Sequence, residues 1–444
     1  MKLWDKGIEI NKLVETFTIG KDRETDLFIA QYDVLGTMAH ITMLQSIGLL
    51  TAEELSTLLS ELKVIYTNIL AGNFVIEEGI EDVHSEVELL LCRKLGDIGK
   101  KVHSGRSRND QVLVDLKLYM RAEIQKTVAQ VIDLFTVLQN QSERYKDILI
   151  PGYTHLQVAM PSSFGLWFGA YAESLTDDLH VLQAAYKIVN QNPLGSAAGY
   201  GSSFPLNRTM TTRLLGFDDL NYNVVYAQMT RGKSEKITSF ALASIAATLS
   251  KMAMDVCLFM SQNFKFISLP DEFTTGSSIM PHKKNPDVFE LIRAKCNRIQ
   301  SLPNEILLVC NNLPSGYFRD MQIIKEMFIP AFSDLSDCLN IATFITDKIS
   351  VTENILEDEK YKYVFSVEEV NKETLNGVPF RDAYKKVAKE IADGSFKPDT
   401  SVHHTHEGSI GNLCNDRIKA KLDKIIQEFN FGKTEKAIEG LIKG

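Results

Sequence analysis

The 444-residue chain has no internal repeat and no low-complexity tract, which excludes solenoid arrays and fibrous assemblies. It lacks basic excess: 57 Asp and Glu against 48 Lys and Arg leave a net charge of −9, so a general nucleic-acid or membrane-surface binder, which needs a basic face, is not expected. An anionic substrate must therefore meet local positive charge. The six cysteines fall without paired spacing, and several sit in apolar helical patterns as reduced core thiols do, which predicts a reducing, cytoplasmic setting. No glycine-rich phosphate loop or dinucleotide fingerprint occurs, so no organic cofactor is expected. The opening MKLWDKGIEINKL lacks the apolar stretch of a signal peptide. No window is read as approaching the roughly eighteen apolar residues of a membrane span.

What the chain does have is helical periodicity. Ile124, Val128, Val131, Ile132, Phe135 and Leu138 form one apolar stripe in an otherwise more polar segment. In residues 233–260, Ile237, Phe240, Leu242, Ile245, Leu249, Met252, Val256 and Phe259 recur mostly at threes and fours, with alanines between them that permit close packing. That helix should be buried on several sides. Further helices are predicted near residues 158–190, 287–312 and 319–347, giving about five long helices in an elongated bundle. Shorter helices near 24–70 suggest a separate N-terminal unit, and the pattern shortens again beyond residue 360.

Four segments concentrate chemistry. GSSIMPHKKNPD, Gly276 to Asp287, places two hydroxyls, a histidine, two lysines and an asparagine on a small polar run that cannot readily seed a helix and ends at a predicted helix start. Backbone amides and lysines there would attract an anion. HSGRSRNDQV, His103 to Val112, holds Arg106 and Arg108, which could clamp carboxylates, although a helix N-cap in a solvated charge run explains it equally well. PGYTHLQVAMP, Pro151 to Pro161, sets Thr154 and His155 beside another helix start, where a lone histidine is more often structural. LPSGYFRDMQIIKE, Leu313 to Glu326, gathers Tyr317, Arg319, Asp320, Gln322 and Lys325, which a charged helix start explains almost as well. HHTHEGSIG, residues 403–411, fits no standard zinc spacing, so a structural loop is expected there and no metal.

Taken together and in this order, the four segments resemble the aspartase/fumarase superfamily and, within it, the argininosuccinate lyases. GVPFRDAY near the C-terminus is similar to another segment of that family. The resemblance implies a mainly α, three-domain fold: an N-terminal helical domain over residues 1–106, a central helical bundle over 107–361 and a small C-terminal domain over 362–444. It also implies a homotetramer whose five-helix bundles pair into a twenty-helix core, with active sites shared between subunits. The implied reaction is reversible elimination of fumarate from argininosuccinate, the last step of arginine biosynthesis, through an aci-carboxylate intermediate. By resemblance Ser277 is the base, with adjacent Ser278 as the alternative. Lys283 and Asn285 support a substrate carboxylate or the intermediate, and His155 supplies or relays the acid. Asn109 and Thr154 fall near the succinyl part, Tyr317, Gln322 and Lys325 near the arginine part. Arg108 is a carboxylate clamp or an outlying salt bridge, and His84, in EDVHSEVE, reaches the site or bonds a carboxylate on a helix face.

Three positions depart from the family pattern. His282 stands where argininosuccinate lyases usually carry Gln, and MPHK is similar to adenylosuccinate lyases, which are the runner-up reading. NYNVVYAQMTRGK, Asn221 to Lys233, is poorer in acidic residues than its counterparts. FTIGKDRETD offers no clear match to the substrate-binding serine that the lyases place near the N-terminus. A reading of another class, a non-catalytic crystallin-like relative, is disfavoured by Ser277, Lys283, Asn285, Thr154 and His155 occurring together.

Overall fold

The computed structural model describes residues 11–443. Helices of ten residues or more are numbered in chain order. The N-terminal part contains α1 (Ala30–Ser46), α2 (Ala52–Leu70) and α3 (Val83–Leu95). Thr51 and Glu54 cap α2 reciprocally, and Asp82 caps α3 by accepting the Ser85 N–H at 2.8 Å. The central part runs through α4 (Arg108–Arg144), α5 (Phe164–Val189), α6 (Lys233–Phe259), α7 (Asp287–Ile299) and α8 (Ile324–Thr346). The 37 residues of α4 make a rod about 55 Å long.

The bundle forms because these helices bury complementary stripes. On α4 the predicted stripe of Ile124, Val128, Val131, Phe135 and Leu138 is buried. α4 packs on α5 and α8, α6 packs on α5, α7 and α8, and α7 packs on α8. One continuous core joins this bundle to α1, α2 and α3. Towards the C-terminus, α9 (Ser366–Leu375) and α10 (Phe380–Asp393) enclose a small core of their own around Val370, Ala383, Val387 and Phe396. The last helices, α11 (Asn415–Phe429) and α12 (Phe431–Lys443), return to the main core through Ile418, Leu422, Ile425 and Phe429 of α11 and Leu441 of α12.

Four expectations need correction. Residues 158–163 are not helical: Leu149–Thr154 (β1) and Gln157–Ser163 (β2) form an antiparallel hairpin before α5. The β-branched and proline-bounded residues IPGYT and QVAMP favour that extended form. The helix expected over 287–312 is broken after Ile299 and resumes at Leu302–Val309, where Pro303 occupies the first turn and has no N–H to give the preceding turn. Residues 319–323 form a tighter turn ahead of α8.

The fourth correction concerns α6, which is long and apolar enough to cross a membrane by length and composition. Its apolarity serves packing: Ala241, Leu242, Ile245, Ala246 and Leu249 are buried in the bundle, and Glu235, Thr238 and Ser239 are buried with them. Phe240 and Met254 remain exposed on its other faces.

Candidate active site

Three of the four chemistry-bearing segments open as the sequence suggests, beside a helix start. Ser107 is the N-cap of α4, with Asp110 reciprocating by accepting the Ser107 N–H at 2.8 Å. The other carboxylate oxygen of Asp110 accepts the N–H groups of Gly195 and Ala197, each at 2.9 Å. Burial pushes the Asp110 carboxyl up to about 6 against those donors. Of the two readings of HSGRSRNDQV the helix cap is seen, with Ser107 and Asp110 fixing the helix end, while Arg108 and Asn109, on its first turn, face a cavity.

That cavity is walled by residues distant in sequence. Arg108, Asn109 and Val112 come from α4, Glu81, Asp82 and His84 from the start of α3, and Tyr317, Arg319, Gln322 and Lys325 from the approach to α8. Asp22, Asp26 and Arg231 complete it. Six sequence-nominated residues, His84, Arg108, Asn109, Tyr317, Gln322 and Lys325, are thus brought together. Several already have protein partners. Arg108 donates to Asp82 at 2.7 Å and to Glu81 at 3.3 Å, and Arg319 pairs with Glu81. Gln322 donates to the carbonyls of Thr18 and Ile19 at 2.9 and 3.1 Å and accepts from Arg319. Lys325 is buried between Asp26 and Asp22, 2.8 Å from the latter.

His84 lies deeper. Its Nδ1 is 2.7 Å from an Asp33 oxygen and 3.5 Å from Asp115, with all three residues buried. Burial opposes a charged imidazole, but Asp33, Asp82 and Asp26 outweigh it and raise the His84 pKa above 6.5. The net effect on Asp82 is reciprocal: burial raises its carboxyl, but His84, Arg108 and the Ser85 N–H bring it down to about 2. The histidine, its aspartates and Arg108 therefore form a charged wall behind the cavity.

The remaining nominated residues do not line this cavity. Thr154 and His155 are exposed at the β1–β2 tip, where His155 and Leu156 have φ of 55° and 58°, a left-handed turn. Ser277, Ser278, Lys283 and Asn285 occupy a surface loop tied at its base, where Asn285 N–H donates to the Thr275 carbonyl at 2.9 Å and Thr275 N–H to that of Asn285 at 3.3 Å. Within the loop, Ser277 Oγ accepts the N–H groups of Met280 at 3.1 Å and Ile279 at 3.3 Å. Ser278 accepts no such pair. Lys284 is ion-paired to Asp271, whereas the Lys283 ammonium has no partner among the described residues. α7 begins at Asp287 as expected, but Asp287 and Glu290 in its first turn already complement the helix dipole, so the loop amides and Lys283 are the stronger attraction for an anion.

Sequence reasoning missed Asp22, Asp26, Glu81, Asp82 and Arg231. Asp22 and Asp26 stand one helical turn apart, and the acid pair of EDVH precedes a nominated histidine, so both carried a signal. Arg231 lies in the segment set aside as unlike its counterparts.

The fold is shared with EDDS lyase in complex with formate (TM-score 0.77, 22% identity, 97% of this chain and 93% of that one). It is also shared with class II fumarase from Schistosoma mansoni (TM-score 0.72, 16% identity, 94% of each chain). A family model described as Lyase matches residues 8–301, which sets the chain in that class of helical lyases. Over 441 residues, 99% of each chain, it is 67% identical to a Bacteroides fragilis protein named argininosuccinate lyase. The chain belongs to the argininosuccinate lyase family, and the adenylosuccinate alternative raised by His282 gives way.

Proposed function

We propose that the chain eliminates fumarate reversibly from argininosuccinate to leave arginine, acting as a carbon–nitrogen lyase of small-molecule metabolism in the cytoplasm. The difficult step is removal of a proton from carbon next to a carboxylate, because that C–H is a very weak acid. Ser277 takes it. A serine hydroxyl is a poor base until its ionised form is favoured, and donors to Oγ favour that form. Met280 and Ile279 supply two backbone N–H groups. Lys283, which has no partner among the described residues, supplies positive charge for the aci-carboxylate intermediate, and Asn285 a further donor. His155, with Thr154, delivers the proton to the departing guanidino nitrogen. Asn109 holds the succinyl part. Tyr317, Gln322 and Lys325 hold the arginine part, with Arg108 and His84 setting the wall behind them and Ser278 beside the base.

The observation that carries this reading is a serine provided with two backbone donors, on a loop whose Lys283 has no partner among the described residues, in a chain of the argininosuccinate lyase family. Because the loop and the hairpin tip stand outside the cavity, the reading includes a homotetramer in which one subunit's cavity receives another's loop. The exposed Phe240 and Met254 on α6 are then buried between bundles. The division at 1–106, 107–361 and 362–444 belongs to the same reading. Fumarate absorbance on adding argininosuccinate tests it, with adenylosuccinate in parallel. Fumarate from the first alone is expected; a folded protein that releases none from argininosuccinate would return the chain to the non-catalytic class.

A further inference from the structure

The first turn of a helix is its least firmly held part, because its N–H groups find no partner within the helix and the end frays. Asn109 stands on such a turn and faces the cavity. Its neighbour Arg108 is held from outside by Glu81 and Asp82, whereas Asn109 is held through its backbone, its N–H donating to Ser107 Oγ at 3.3 Å. The turn is fixed from beyond α4 by the fully buried Asp110. One carboxylate oxygen closes the cap on the Ser107 N–H, and the other collects the N–H groups of Gly195 and Ala197. A single side chain thus joins three backbone donors from two segments about 85 positions apart.

The loop on the other side, residues 193–201, is itself well anchored. Of the two donors, Gly195 has φ of 84° and Ala197, which carries a Cβ, has φ of 53°. A left-handed residue with a Cβ persists only where surrounding bonds impose it. Here they come from both sides: Asp110 takes the Ala197 N–H, and Gln228 donates to the Ala197 carbonyl and to Ser196 Oγ, both at 3.1 Å. The N–H groups of Gly199 and Gly201 return to the Ser196 carbonyl, each at 3.0 Å. Asp110 therefore ties the start of α4 to a fixed reference. An amide of the same shape cannot do so, since its NH₂ would meet an N–H on one side or the other.

We propose that Asp110 is a positioning residue for the succinyl end of the substrate: by joining the first turn of α4 to the 193–201 loop, it keeps the Asn109 amide where the succinyl part must meet it. This rests on the proposed reaction and on the place of Asn109 in it. Asp110 is out of reach of substrate and acts only through its neighbour. A small displacement of a group that orients substrate is enough to lower the rate strongly.

The test compares intact wild type with Asp110→Asn and with Val131→Ala, which removes buried methyl groups from α4 about 33 Å along the helix from Asn109. Inhibition of fumarate release by succinate and by arginine reads the two ends of the site separately. Asp110→Asn is expected to weaken succinate inhibition about 10- to 100-fold, with a matching loss in kcat/KM, and to leave arginine inhibition within about twofold of wild type. Val131→Ala should move neither. Gln228→Leu, which releases the far side of the loop and leaves Asp110 with all its donors, should show the same split at about 3- to 10-fold, and it decides the matter if Asp110→Asn does not fold. Equal weakening of succinate and arginine, or an equal shift in Val131→Ala, would show a structural role and overturn the proposal, as would unchanged succinate inhibition. Absence of fumarate from wild type with argininosuccinate would instead remove the underlying reaction, and the proposal with it.

Discussion

Ser277 and Ser278 are adjacent and chemically identical, so what separates them is what their oxygens touch. Two backbone N–H groups converge on Ser277 Oγ. The expected outcome is that Ser277→Ala lowers fumarate release by about 10²–10⁴-fold or more, with native mass unchanged, while Ser278→Ala retains most of it. Steady-state rates on both variants check this. His84 makes a different demand. Removing the imidazole leaves Asp33 and Asp115 facing each other in a buried site, so His84→Gln should destabilise the fold by about 3 kcal/mol in urea denaturation. The folded-state pKa of His84 lies above its ordinary 6.5. Its contribution is therefore fully present below 6.5 and lost as pH rises through the folded value, and the gap between wild type and variant should shrink in alkaline buffer. At this scale the sequence nominated side chains for chemistry but not their partners: Asp33 and His84 meet across 51 positions, which no local pattern encodes.

At the scale of elements, boundaries were legible where capping chemistry is local and obscure where packing decides. The Ser107 and Asp110 cap announces α4, and Pro286 announces α7. The β1–β2 hairpin was missed because Val158, Ala159 and Met160 read equally well as the start of a helix, and only the pairing of Leu149 to Thr154 opposite them makes them extended. The junction of β2 and α5 is tightly built. A Cβ on Gly165 would lie 2.6 Å from Lys146 Cα and 2.9 Å from the Ser142 carbonyl oxygen, both backbone atoms at the end of α4 and just beyond it. Gly165→Ala should therefore cost about 1–3 kcal/mol. Gly432→Ala, where nothing lies within 4 Å of the added carbon, should fall within about 0.5 kcal/mol of wild type. Denaturant midpoints of the two variants check the contrast; equal losses would show that backbone approach is not what limits residue 165.

For the whole molecule, the helical bundle was legible because its stripes repeat over many turns, and the cavity was not, because its walls come from segments near residues 22, 82, 108, 231 and 320. The loop that carries Ser277 and the tip that carries His155 stand apart from those walls. Helix α6, apolar on more faces than its own bundle covers, supplies a reason for the chain to associate. The account then requires one subunit to complete another's site. Two inactive variants, Ser277→Ala in the loop and Asn109→Ala in the cavity, should be mixed, dissociated and allowed to reassociate, with subunit exchange followed by native mass. In random hybrids the intact loop of one variant meets the intact cavity of the other in about a quarter of sites, so roughly a quarter of wild-type fumarate release should return. Hybrids that exchange subunits yet stay inactive would contradict a site shared between chains.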